Sequence, residues 1–96
     1  MPASHAIVTT PHASRYLQQL CKHWGHKFAV TFDPAQGRIA LPFGPVELKA
    51  SDSELEVTCT LQGDGDMARM QQVVADHVNR FAHREGELTF DWKPLA

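Results

Sequence analysis

"FAVTFDPAQGRIALPFGPVELKASDSELEVTCTL", residues 28–61, is the stretch whose reading decides the fold. Its apolar positions recur at every second residue, as Phe28, Val30 and Phe32, then Ile39 and Leu41, then Val46, Leu48 and Ala50, then Leu55, Val57, Cys59 and Leu61. That period belongs to a β-strand, whose successive side chains point to opposite faces. "DPAQG", "PFGP" and "SDSE" separate the four runs and are rich in turn-forming residues. Each run has one apolar and one polar side, as in an antiparallel sheet covered on one face only.

On both sides of this block the period changes. "HAIVT", 5–9, is short and β-branched, which favours an opening strand. Thr10 then offers an N-cap oxygen and Pro11 suits a first helical position. Ala13, Tyr16, Leu17, Leu20, Cys21 and Trp24 follow as a one-faced stripe up to Gly25, so a helix is expected from about residue 11 to 24. Beyond the block, "GDGD" at 63–66 supplies aspartates suited to a helix N-terminus. Met67, Met70, Val74, His77, Val78 and Phe81 share one arc, and Gly86 is expected to close that helix. Leu88, Phe90 and Trp92 alternate as a final strand. The order is β-α-β-β-β-β-α-β. It predicts an α+β two-layer sandwich, a mainly antiparallel six-stranded sheet with two helices on one face, in a single domain over residues 1–96.

Composition narrows the classes of function. With 43% apolar and 21% charged residues the chain has the profile of an ordered globular domain. At 96 residues it should bury roughly 65% of its unfolded surface, so folding requires neither metal nor disulfide. The net charge of -2 provides no basic footprint for nucleic acid. "MPASHAIVTT" has no basic n-region or apolar h-region, and no run approaches the roughly 20 apolar residues of a membrane span. A cytoplasmic protein with no membrane partner is expected. Cys21 and Cys59 belong to no CxxC pair and are read as reduced, small apolar side chains.

The densest chemistry lies in "LCKHWGHK", 20–27. On a helix Cys21 and His23 point about 200° apart, so they cannot share one ion. Cys21 belongs to the apolar stripe, whereas His23 lies in a row with His12, Tyr16 and Gln19. Lys22, His23, His26 and Lys27 also surround the negative end of the helix dipole, which explains their charges without any ligand. In the second helix His77 interrupts the arc of Met70, Val74 and Phe81, with Arg80 and Arg84 beside it. A buried, hydrogen-bonded histidine is the packing explanation there. Asp76 can pair with Arg80 at i,i+4. If the helices pack side by side, His12, Tyr16 and His23 face His77 and Arg84. GxSxG, HExxH and a phosphate-cradling glycine loop are absent, and no spacing sets a nucleophile or carboxylate beside His77. An enzymatic reading therefore has the least support.

"RYLQQLCKHWGHK", 15–27, and "HVNRFAHRE", 77–85, followed by an alternating strand ending at Trp92, resemble the bacterial domain-of-unknown-function family 2218. The likeness covers nearly the whole chain. It implies a role in iron acquisition, because members of that family tend to accompany, and sometimes are fused to, siderophore-interacting flavin reductases. It highlights Arg15, Tyr16, Cys21, His23, His26 and Lys27 in the first motif, and His77, Arg80, Phe81, Arg84 and Glu85 in the second. His83 departs from the pattern, where an aromatic residue is expected. The expectation is an accessory binding protein in iron or siderophore metabolism, taking a ferric chelate or a siderophore-interacting flavin reductase through Tyr16, His23, His26, His77, Arg80 and Arg84. The alternatives are direct metal or haem binding through His23, His26 and His77, and a structural protein-interaction module.

Overall fold

The alternating stretch forms four consecutive strands, and the computed structural model describes residues 3–62, 65–83, 85, 86 and 88–95. The elements in chain order are β1 (Ala3–Thr9), α1 (Ala13–Trp24), β2 (Val30–Phe32), β3 (Gln36–Leu41), β4 (Gly44–Ala50), β5 (Glu54–Thr60), α2 (Met67–Phe81) and β6 (Lys93–Leu95). The strands form one antiparallel sheet in the order β2-β3-β4-β5-β1-β6.

The register follows the apolar pattern. Leu48 faces Val57 and Val46 faces Cys59 across β4 and β5, while Ala6 faces Val57 and Val8 faces Leu55 across β1 and β5. All of these side chains are buried, and Thr58 and Thr60 lie on the opposite face. The inner face packs against Leu17, Leu20, Cys21 and Trp24 of α1 and Met70, Val74 and Val78 of α2. Val30 and Phe81 are only partly buried at the edge of this core. The N-terminal part of α2 lies over β1, where Gln71 Nε2 donates to Ser4 Oγ at 2.8 Å and Ser4 donates to Met67 Sδ at 3.3 Å. Burial alone pushes the thiols up, Cys21 to about 11 and Cys59 to about 12. Both are free and serve as core side chains.

Four local expectations change. The N-cap of α1 is His12, with no side-chain cap; Thr10 Oγ1 instead accepts the His12 amide at 3.1 Å. Gly25 has φ -62, not a left-handed conformation, because the amides of Lys27 and Phe28 both bond Trp24 O and tighten the turn. A Cβ on Gly25 would sit 3.0 Å from Cys21 O, so close backbone approach favours glycine there. α2 ends at Phe81, and Gly86, at φ +92, lies in the turn beyond it. The last strand is Lys93–Leu95, not 88–92. Leu88 N donates to Asn79 Oδ1 at 2.7 Å and Leu88 O accepts from Asn79 Nδ2 at 3.5 Å, so a side-chain amide takes the place of a ladder neighbour. The aspartate reading holds at Asp66, whose carboxylate accepts the amides of Ala68 and Arg69. Residues 63 and 64 of "GDGD" lie outside the described residues.

Candidate functional site

The C-terminal half of α2 runs antiparallel to α1. His77 meets Trp24 with ring centres 4.7 Å apart, Phe81 meets His23 at 6.1 Å, and Glu85 reaches Tyr16. Helical spacing produces this, since His77 and Phe81 are four apart on one face of α2, as Tyr16 and Leu20 are on α1.

At the C-terminal end of α1 the contacts leave a hollow of about 340 Å³, lined by His23, Trp24, His26, Lys27, Phe28 and His77. Trp24 is the buried floor at 5% exposure. The doubly accepting Trp24 carbonyl folds the chain back at Phe28 and leaves His26 and Lys27 exposed on the rim. His23 lies 5.4 Å from His77, ring centre to ring centre, with the planes tilted by 45°. His77 Nδ1 lies 2.7 Å from Val73 O. A carbonyl can only accept, so Nδ1 carries a proton, and in the neutral ring Nε2 keeps the lone pair. Among the described residues, none that lines the hollow is a carboxylate.

A second polar cluster lies nearer the start of α1. Thr10 Oγ1 donates to Glu85 Oε1 and Oε2 at 3.0 and 3.1 Å, and the Tyr16 hydroxyl donates to Glu85 Oε2. The Tyr16 phenol is pushed up to about 12, chiefly by burial and then by the Glu85 hydrogen bond and charge, against smaller opposing effects of Arg15 and Thr10. The groups of this cluster are matched to one another.

The match to known proteins agrees with this architecture. The family model described as "Uncharacterized protein conserved in bacteria (DUF2218)" matches residues 5–93. The chain belongs to this family. The chain is also similar to the NMR structure of PA4090 from Pseudomonas aeruginosa, at 38% identity and a TM-score of 0.79, with 97% of this chain and 96% of that one covered. No curated protein matches the chain.

Of the site residues read from the sequence of this DUF2218 member, His23, His26 and His77 line the hollow at the end of α1. Tyr16 does not; it is buried and belongs to the Glu85 cluster. Arg80 is exposed one turn beyond His77 and does not line the hollow, and Arg84 lies outside the described residues. Asp76 accepts from Gln72 Nε2 at 2.7 Å, and the Asp76–Arg80 pair is not among the ion pairs of the described residues. Among the described residues no group of three His, Cys, Asp or Glu side chains is arranged to hold a metal ion. Trp24 and Phe28 as floor and wall, and the Thr10–Glu85 bond, were missed as functional neighbours. The double acceptor at Trp24 and a partner 75 residues away have no local signal.

In other hollows several polar groups are already paired. On the open sheet face, Arg38 pairs with Glu47 at 3.6 Å and His5 with Glu56 at 3.2 Å. Between α2 and residues 88–92, Gln71, Gln72 and Asn79 already donate to Ser4, Asp76 and Leu88.

Proposed function

We propose that this DUF2218 domain is a non-enzymatic binding protein in iron or siderophore metabolism, and that its ligand is an anionic iron chelate held in the hollow between Trp24 and His77. The observation that supports this reading is the lining itself, which among the described residues combines an indole floor, a phenyl wall, three imidazoles and an ammonium without a carboxylate. Aromatic faces accept planar chelator rings, while Lys27 and the ring N–H groups of His23 and His26 suit catecholate, hydroxamate or carboxylate oxygens through charge-assisted bonds. A concave, mostly apolar site with a few convergent polar groups is the usual form of a small-molecule site. The link to iron is what the family resemblance implies, and a siderophore-interacting flavin reductase is the proposed partner acting on the bound chelate.

The test is fluorescence titration of the protein with ferric catecholate, hydroxamate and carboxylate chelates. The expected result is quenching by at least one class, weakened by added salt and reduced by roughly tenfold or more in Lys27→Ala, since a charged hydrogen bond contributes about 1.5–3 kcal/mol. Absence of binding by all three classes contradicts the proposal.

A further inference from the structure

We propose that His23 and His77 form a two-imidazole site for a divalent transition-metal ion of the zinc, cobalt, nickel or copper type, whose remaining positions are filled by a ligand the metal brings with it. The inference rests on the same hollow as the proposed function and names the atoms that would grip a metal-bearing ligand.

Three observations carry it. The first is spacing: two imidazoles bound to one ion at about 2.0–2.1 Å, near a tetrahedral angle, hold their ring centres roughly 5 Å apart. His23 and His77 have ring centres 5.4 Å apart. The second is the tautomer. The Val73 carbonyl, 2.7 Å from His77 Nδ1, fixes the proton there and leaves Nε2 as the donor nitrogen. Metal-binding histidines are commonly oriented by such an outer partner, which also makes the ligating nitrogen more basic. The third is access. His23 is exposed at the last turn of α1, so an ion can reach the pair from solvent.

Imidazole nitrogen selects borderline metals over calcium or magnesium. Because no three suitable side chains converge among the described residues, the protein contributes two ligands and the rest of the coordination sphere stays open. The hollow of about 340 Å³ beside the pair gives room for a second, non-protein ligand on the same ion. His26 lines that hollow and belongs to its rim.

The test uses the intact metal-free protein and Co²⁺ alone, followed by visible absorption and by NMR of the imidazole nitrogens. The expected result is one ion per chain, with changes at His23 and at Nε2 of His77. His23→Gln should weaken binding by at least about tenfold, as loss of a supporting residue alone typically does. His23 is exposed, so this variant is expected to fold even if His77→Gln does not. His83→Gln, with its ring nitrogen on the Arg80 carbonyl, should bind Co²⁺ like the wild type. Failure of the wild type to take Co²⁺, or undiminished binding by His23→Gln, overturns the inference. Binding of a gallium chelate without binding of bare Co²⁺ overturns this inference and leaves the proposed function standing. Co²⁺ binding with no chelate binding supports this inference and removes the proposed function.

Discussion

The two ends of the α1–α2 contact use polar groups in opposite ways. Near the start of α1, Thr10 and Tyr16 spend their hydroxyl protons on one carboxylate, that of Glu85, and the cluster closes on itself. Near its end, His77 has one ring nitrogen committed to Val73, and among the described residues the side chains of His23, His26 and Lys27 make no hydrogen bond. Both ends join the same two helices. The difference separates a clasp from a binding mouth: groups that satisfy one another stabilise the fold, whereas groups held side by side without mutual partners are available to a ligand.

The largest expected effect is at the floor of the mouth. Trp24→Ala removes a buried indole that packs on His77, and should cost about 3–5 kcal/mol in urea unfolding while also abolishing chelate binding. A smaller loss, about 1–3 kcal/mol, is expected for Glu85→Ala, which strips the acceptor from two buried hydroxyls. Chelate affinity of that variant should remain within a factor of about two at temperatures where it is folded; a tenfold drop would merge the two regions that the comparison separates.

Alkaline pH probes the clasp without mutation. The Tyr16 phenol ionises at about 12 in the folded protein against an ordinary 10. Between those values the unfolded chain has lost a proton that the folded chain retains, so stability falls as pH rises, and below pH 10 the contribution of Tyr16 is whole. The buried thiols act with the same sign from about pH 9 upward. Tyr16→Phe should therefore flatten the decline above pH 10 and leave the cysteine part, measured as urea midpoints between pH 8 and 11. An unchanged slope would show that burial and the Glu85 contact do not together hold the phenol proton. The smallest effect is expected from His23→Gln. This exposed position should change stability by less than about 0.5 kcal/mol while weakening binding at the mouth.

Periodicity made most of the architecture legible. Leu55, Val57 and Cys59 alternate because one face of β5 is buried, and the Leu17, Leu20, Cys21, Trp24 stripe repeats because one face of α1 is. The final strand was misread for an instructive reason. Leu88, Phe90 and Trp92 alternate between more and less buried positions, yet Asn79 meets the backbone of Leu88 and Phe90 stacks on Trp92 at 5.7 Å, so the pattern reports burial without a ladder. Within the site, "LCKHWGHK" serves both readings. Its basic residues lie around a helix C-terminus, and the turn that ends the helix also builds the rim of the mouth. His77 could be nominated because it interrupts an apolar arc, and His23 because it lies in a polar row with His12 and Tyr16. Tyr16 shared the row of His23 but is drawn to Glu85, a partner in another element that helical spacing cannot reveal.

The central claim, that the mouth between Trp24 and His77 is the binding site, is tested most directly by backbone NMR shifts on addition of a gallium-loaded catecholate, hydroxamate or carboxylate chelate, a diamagnetic stand-in for the ferric form. The account predicts that shifts concentrate at residues 23–28 and 77–81 and spare Thr10, Tyr16 and the open sheet face around His5, Glu47 and Lys49. Shifts centred on that sheet face, or none with any of the three chelates, would contradict it.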